Sequence, residues 1–345
     1  MSEPRPQEPD AAPPPHVQVI QMASSLWVSR LLYLAAKLGL ADLITAGTDT
    51  YQALAAKTNS HERSMQRVLR ALGCIGIVEQ TDGGRIKLTE LGETLRSDHP
   101  GKARSTVMMI GGPWMWRSWE EFEYSVATGK TAAEKVLGMP VFDYLAQHPE
   151  LVSIFSEAMV GIHGQEPAAI AEAYDFSRFG TIVDVGGATG NLLAAILSKY
   201  PQPKGLLYDM PHVIKDAPAF LAGRGVADRI TMEGGSFFER VPAGGDAYVL
   251  SHVIHDWSES QCLTILGHCR KAMKPGAKLL IVEMVLPDGN EPHPGKMLDI
   301  VMLTVPGGEE RTASEYRELL GKAGFRMNRV VPTASAVGVV EAELG

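Results

Sequence analysis

The stretch Thr181-Ile182-Val183-Asp184-Val185-Gly186-Gly187-Ala188-Thr189-Gly190-Asn191 decides how the chain is read. A short β-branched run ends at an acid, a glycine-rich turn follows, and a helical pattern begins near Asn191. Glycines let the backbone approach a ligand closely, and the start of a helix offers free N–H groups to an anionic end such as a carboxylate. The dinucleotide fingerprint G-x-G-x-x-G is not met, because neither Gly186 nor Gly187 has glycines at both required offsets.

From this stretch onward, short β-branched runs alternate with helical stretches. The expected strands are 181–185, 205–208, 230–232, 247–251, 278–284, 329–332 and 337–340. Such alternation predicts an α/β domain with a mostly parallel sheet and helices on both faces, and ligands bind at the carboxyl ends of its strands. Asp209 falls at the second such end, where its carboxylate can accept hydrogen bonds from both hydroxyls of a ribose. Loop and acid together specify a nucleoside cofactor, and NAD fits that description as well as any other.

The strand 247–251 is followed by His252-Val253-Ile254-His255-Asp256-Trp257. A histidine at a strand end can serve as a general base, since its ordinary pKa of ~6.5 leaves it mostly neutral at pH 7. His252 and His255 compete for that role, and the residues alone leave the choice open. Glu283, set in the apolar run 277–286, needs a partner if buried. Together with Glu310, after Gly307-Gly308, it can fix a histidine tautomer and support an imidazolium.

Upstream, residues 17–38 are apolar on nearly all sides, more than one stripe of a surface helix requires, which predicts a helix buried against a second copy of the chain. Residues 40–98 read as three short helices and a hairpin around Asp82-Gly83-Gly84, the order of a winged helix. Arg63, Arg67 and Arg70 share one helix face, as in a DNA reader, but acids and bases across the segment balance. A mostly helical connector, 101–175, carries Trp114, Trp116 and Trp119. The boundaries expected are a disordered tail at 1–15, a winged-helix-like dimerisation domain at 16–100, the connector at 101–175 and the cofactor domain at 176–345.

Bulk composition narrows the classes. With 45% apolar and 21% charged residues in 345, the chain can fold two domains, and its net charge of -8 opposes general nucleic-acid binding. The three cysteines, Cys74, Cys262 and Cys269, form no CxxC pair, so neither a disulfide framework nor a zinc site is signalled, and a reducing cytoplasm is expected. No apolar stretch is expected to reach the ~18 residues of a membrane span, because Lys278 and Glu283 break the run 277–286. Six prolines among the first fifteen residues predict a disordered tail and no signal peptide.

The stretches Asp184-Val185-Gly186-Gly187-Ala188-Thr189-Gly190, Tyr208-Asp209-Met210-Pro211-His212-Val213, His255-Asp256-Trp257 and Gly307-Gly308-Glu309-Glu310-Arg311-Thr312 resemble, in this order, the caffeic-acid-type O-methyltransferases of plants and their bacterial small-molecule relatives. The resemblance covers nearly all of the chain after the tail. It implies a class I methyltransferase Rossmann-like domain with a seven-stranded, mostly parallel sheet behind an N-terminal winged-helix dimerisation domain. It also implies a homodimer and a small, aromatic, hydroxyl-bearing substrate.

By the same resemblance, S-adenosylmethionine lies against Asp184, Gly186, Gly187, Gly190, Asp209, Met210, Gly235, Ser236, Phe237, Ser251 and Trp257. No metal is expected, because no cluster of His, Asp or Glu with chelating spacing accompanies the site. His255 is the base, flanked by Glu283 and Glu310. Trp114, Phe155, Met159, His163 and Met302 face the acceptor, core packing being the plainer reading of each. Two positions depart from the pattern: Ser236 stands where an acid usually approaches the adenine, and Ala188 where a third glycine is common. Other readings are an N- or C-methyltransferase on the same scaffold, or a DNA-binding regulator that uses the second domain as a ligand sensor.

Overall fold

The computed structural model describes residues 13–81 and 83–345. Most of the expected tail, 1–12, and Asp82 of the hairpin turn lie outside the described residues. The chain divides into two compact units, one formed by 1–113 with 149–162, the other by 114–148 with 163–345. Residues 101–175 are therefore shared between the two.

In the first unit, the helices Leu40–Thr45, Tyr51–Lys57 and Glu62–Cys74 precede a hairpin of β1 (Val78–Gln80) and β2 (Ile86–Leu88). Thr50 caps the second of these helices by accepting the N–H of Ala53. Met65, Leu69 and Leu72 line one face of the third and bury it against Leu54, Ile77 and Ile86. Arg63 on its outer face is bonded to Gln66.

The first helix, Pro15–Lys37, corrects one expectation: by length and composition alone it could cross a membrane. Arg30 and Lys37 are its only Lys, Arg, Asp or Glu residues, so it is longer and less interrupted than the run 277–286. It is nevertheless docked in this unit. Arg30 donates to the carbonyl of Gly111, and at Gly111 any β-carbon would strike the ring of Tyr33. Its outer face leaves Val19, Met22 and Trp27 between 64% and 71% exposed, an apolar surface with nothing over it among the described residues.

The second unit is built on a seven-stranded sheet: β3 (Thr181–Val185), β4 (Lys204–Asp209), β5 (Ile230–Gly234), β6 (Ala247–Ser251), β7 (Lys278–Glu283), β8 (Phe325–Pro332) and β9 (Gly338–Leu344). Their order is β5-β4-β3-β6-β7-β9-β8, the first five parallel and β9 antiparallel to both neighbours. Both faces are covered, as alternation along β7 shows: Leu280 and Val282 join one core with Ile182 and Leu193, while Leu279 and Ile281 join another with Val183 and Tyr248. Strand order reverses between β3 and β6, which opens a crevice at their carboxyl ends.

Candidate active site

At that crevice β3 turns through Gly186 (φ 73°), Ala188 (φ 51°) and Gly190 (φ 82°) into the helix Asn191–Lys199. The glycines are needed for space as well as conformation. A β-carbon on Gly187 would meet the Asp184 carboxylate at 2.5 Å, and one on Gly186 would meet Val253 at 2.8 Å. Asp209, at the end of β4, holds the loop by accepting the N–H of Ala188 at 2.9 Å and that of Met210 at 2.7 Å. Each of its oxygens keeps a further acceptor direction for a ligand.

Asp184 lies beneath the loop with neither carboxylate oxygen hydrogen-bonded. Burial, then the charge of Asp209, pushes its pKa up to about 7. A buried acid without a donor, under a loop closed to side chains and beside a helix start, suits a zwitterionic ligand whose ammonium can answer the acid and whose carboxylate can take the helix N–H groups.

The other expected cofactor positions lie near the neighbouring strand ends. A β-carbon on Gly235 would collide with the Tyr208 ring. The Ser236 hydroxyl oxygen accepts the N–H of Phe238 at 3.2 Å. Phe237 and Phe238 pack edge-on against Trp257, with centroids 6.0 and 4.8 Å away. Ser251 ends β6 opposite Val282. Trp257 also lines a cavity of about 230 Å³ with Ser258, Asp299, Leu303 and Gly307 to Glu309.

Of the two competing histidines, His255 lies among three acids, of which Glu283 and Glu310 are buried. Its Nδ1 is 2.6 Å from Glu310 Oε1 and 3.3 Å from Glu283 Oε2, and its Nε2 is 3.6 Å from Asp256 Oδ1. Glu283 Oε1 also accepts the successive N–H groups of Val253, Ile254 and His255, at 3.1, 3.0 and 3.3 Å, and so shapes the turn that presents the ring. The segment carrying Glu310 is pinned to that turn. Glu309 N–H donates to the His255 carbonyl at 2.8 Å, and a β-carbon on Gly308 would overlap that same carbonyl.

Burial sets the charge states. It lowers the pKa of His255, raises that of Glu310 to about 7, and raises that of Asp256 to about 6. Glu283 is driven well above the usual carboxylate range by burial and by the charges of Glu310 and Asp256. Arg311, only 3% exposed, brings a cation close by, donating to the Glu309 carbonyl at 3.0 Å. Asp256 and Arg311 were not singled out from the sequence, although both lie inside the quoted motifs.

His252 faces elsewhere. Its Nε2 is 2.7 Å from Glu166 Oε2, which is also 3.1 Å from His163 Nδ1. Chain spacing showed no chelating set, yet folding gathers His163, Glu166 and His252, and also His252, His255 and Glu283, each set with donor atoms within 4.8 Å of one another. Glu166 gave no sequence signal; its partner His252 lies 86 residues further on.

Among the expected acceptor residues, Trp114 and Met302 are buried in the second unit, 5% and 7% exposed, and the Met302 carbonyl accepts the N–H of Gly307 at 2.8 Å. Phe155 and Met159 are half-buried on the helix Pro149–His163 and belong to the first unit.

Comparison with known proteins settles the family. Residues 119–326 match the O-methyltransferase domain, and residues 20–98 match the O-methyltransferase dimerisation domain. The chain belongs to the O-methyltransferase family. It is 45% identical over 324 residues to phenazine O-methyltransferase PhzM of Lysobacter antibioticus, covering 94% of this chain and 95% of that one. It is 41% identical over 307 residues to O-demethylpuromycin-O-methyltransferase of Streptomyces alboniger, covering 88% and 81%. The crystal structure of NcsB1, an O-methyltransferase from neocarzinostatin biosynthesis in complex with S-adenosylmethionine and 2-hydroxy-5-methyl naphthoic acid, superimposes with a TM-score of 0.84 at 31% identity, covering 97% of this chain and 100% of that one. The dimerisation match falls on the winged-helix-like segment and includes most of the exposed apolar face of Pro15–Lys37, so this segment is assigned to chain pairing and not to DNA reading.

Proposed function

We propose that this O-methyltransferase transfers the methyl group of S-adenosylmethionine to a hydroxyl of a small phenolic natural product, with His255 as the base. The observation that carries the choice of base is the His255–Glu310 bond beside the glycine loop. S-adenosylmethionine supplies a methyl group on a positively charged sulfur. Gly186, Gly187 and Gly190 let the backbone approach it, Asp209 accepts from its ribose, and the Asp184 carboxyl answers its ammonium.

Burial keeps His255 neutral at pH 7, and Glu310 in its ionised form, which prevails above about pH 7, draws the ring proton to Nδ1. Nε2 is then the bare nitrogen and can take the hydroxyl proton. A phenol pKa near 10 against an ordinary histidine value of ~6.5 already makes full proton transfer uphill by roughly 5 kcal/mol, and the burial that lowers the pKa of His255 adds to that. Proton loss is therefore concerted with bond formation at oxygen, and Glu310 supports the imidazolium as it develops. Holding the two reactants in line supplies much of the remaining acceleration.

The working form in this reading is a cytoplasmic homodimer, the outer face of Pro15–Lys37 being covered by the second copy. Sedimentation at micromolar concentration checks the dimer. The function is tested by calorimetric titration with S-adenosylmethionine, its demethylated product and NAD, then by incubation with phenolic acceptors and mass analysis. We expect micromolar binding of the first two, none of NAD, and a gain of one methyl. In His255→Ala, binding should persist while turnover is lost; retained turnover would move the base elsewhere.

A further inference from the structure

The cluster of His163, Glu166 and His252 plays no part in the proton transfer proposed above. Two imidazole nitrogens and one carboxylate oxygen converge there from three places: the end of the helix Pro149–His163, the start of the helix Glu166–Ala173 and the turn after β6. Their donor atoms lie within 4.8 Å of one another, and the two rings are 3.9 Å apart at their centroids. We propose that His163 Nδ1, Glu166 Oε2 and His252 Nε2 bind a first-row divalent transition metal, with the remaining positions open to an oxygen ligand. Two imidazoles and a carboxylate suit zinc, nickel, copper or iron(II), whereas magnesium and calcium prefer sets made of oxygen alone.

Two buried atoms without a hydrogen bond, one of them Glu283 Oε2 beside His255 Nδ1 at 3.3 Å, support the site independently of that convergence. With Glu166 accepting from Nε2–H, the neutral ring of His252 leaves Nδ1 bare. That Nδ1 is buried without a hydrogen bond and faces, at 3.8 Å, the Oε2 of Glu283, which is also buried without one. A metal on Nε2 moves the ring proton to Nδ1, and a small side-chain shift then lets Nδ1–H donate to Glu283. Both atoms are satisfied at once, in the carboxylate–histidine–metal arrangement typical of protein metal sites. The backbone of His252 also has φ 52°, a left-handed conformation that a non-glycine residue keeps only where its surroundings hold it. A bound ion would sit beside His255, whose ring is 5.3 Å from that of His252, without using the Nε2 that takes the proton.

A proton on Glu283 would satisfy the same pair of atoms without any ion, and metal binding separates the two cases. The full-length protein, freed of metal with a chelator, is titrated with Co²⁺ and followed by its visible ligand-field bands; equilibrium dialysis with Zn²⁺ gives the stoichiometry. We expect one ion per chain and bands of four- or five-coordinate intensity. Glu166→Gln and His163→Ala should each weaken binding by at least about tenfold while circular dichroism and S-adenosylmethionine binding are kept. His163 is partly exposed, so its variant tests the site even if the change at Glu166 disturbs folding. No stoichiometric uptake at micromolar metal, or uptake unchanged in both variants, overturns the site.

Discussion

His255 and Glu310 are joined by a buried hydrogen bond of 2.6 Å between Nδ1 and Oε1, which orients the imidazole. Replacing that carboxylate with an amide keeps the shape and removes the charge that, in the proposed mechanism, supports the imidazolium. A charge-assisted bond of this kind contributes about 1.5–3 kcal/mol, so Glu310→Gln should lower kcat about 10- to 100-fold. Cofactor affinity should stay within twofold by calorimetry. Unchanged turnover would show that Glu310 does not support the base.

Gly308 admits no side chain, because a β-carbon there would overlap the backbone of His255 and Asp256. Gly308→Ala must push the Glu310 segment off the histidine turn. Overpacking of this kind costs about 1–3 kcal/mol, read as a lower thermal midpoint together with lost turnover. Gly321, within the helix Ala313–Lys322, has nothing near its would-be β-carbon. Gly321→Ala should therefore be neutral or raise the midpoint slightly, and a comparable loss in both variants would remove the steric explanation.

Asp209 accepts two loop N–H groups on separate oxygens. An amide offers only one acceptor oxygen, so in Asp209→Asn either Ala188 or Met210 loses its partner and the glycine loop shifts. Each lost acceptor costs about 1–3 kcal/mol, and S-adenosylmethionine should bind at least about tenfold more weakly. Equal affinity in calorimetry would place the ribose elsewhere.

The sheet, the glycine loop and the histidine-bearing turn were legible because each rests on local chemistry: β-branched runs, glycines at special angles, acids at strand ends. The edge was read less well. β8 begins at Phe325, not at 329, because its register shifts between Met327 and Arg329 and breaks the two-residue alternation that marks a strand. The roles of the two histidines were not legible either. Both leave the same strand, and only folding reveals that His255 meets Glu310 while His252 turns to Glu166. No spacing rule links residue 166 to residue 252, so that pairing lies beyond sequence patterns.

Acid should loosen the far edge of the sheet. Burial pushes Glu341 upward, but hydrogen bonds from Tyr174, Asn328 and Arg329 outweigh it and bring its pKa down to about 2. The unfolded value is near 4.5, so the stability this carboxylate gives is fully present above that pH and fades as pH falls towards 2. Glu341→Gln should be less stable than the parent at pH 7 in urea unfolding, and the gap should narrow steadily below pH 4.5. A gap independent of pH would assign the loss to packing.

One clamp bears on how the protein comes to be folded. The N–H groups of Gly180 and Thr181 both donate to the carboxylate of Asp246, about 65 residues away, where β6 comes to lie beside β3. The glycine loop leaves one of these strands and the histidine turn leaves the other. Closing so long a connection costs about 4 kcal/mol in chain entropy before any contact repays it. Segments on either side can take up helix and local pairing early, but the crevice itself does not exist until this distant pair has met. Catalytic competence should therefore be among the last properties regained on refolding, trailing the recovery of helical signal.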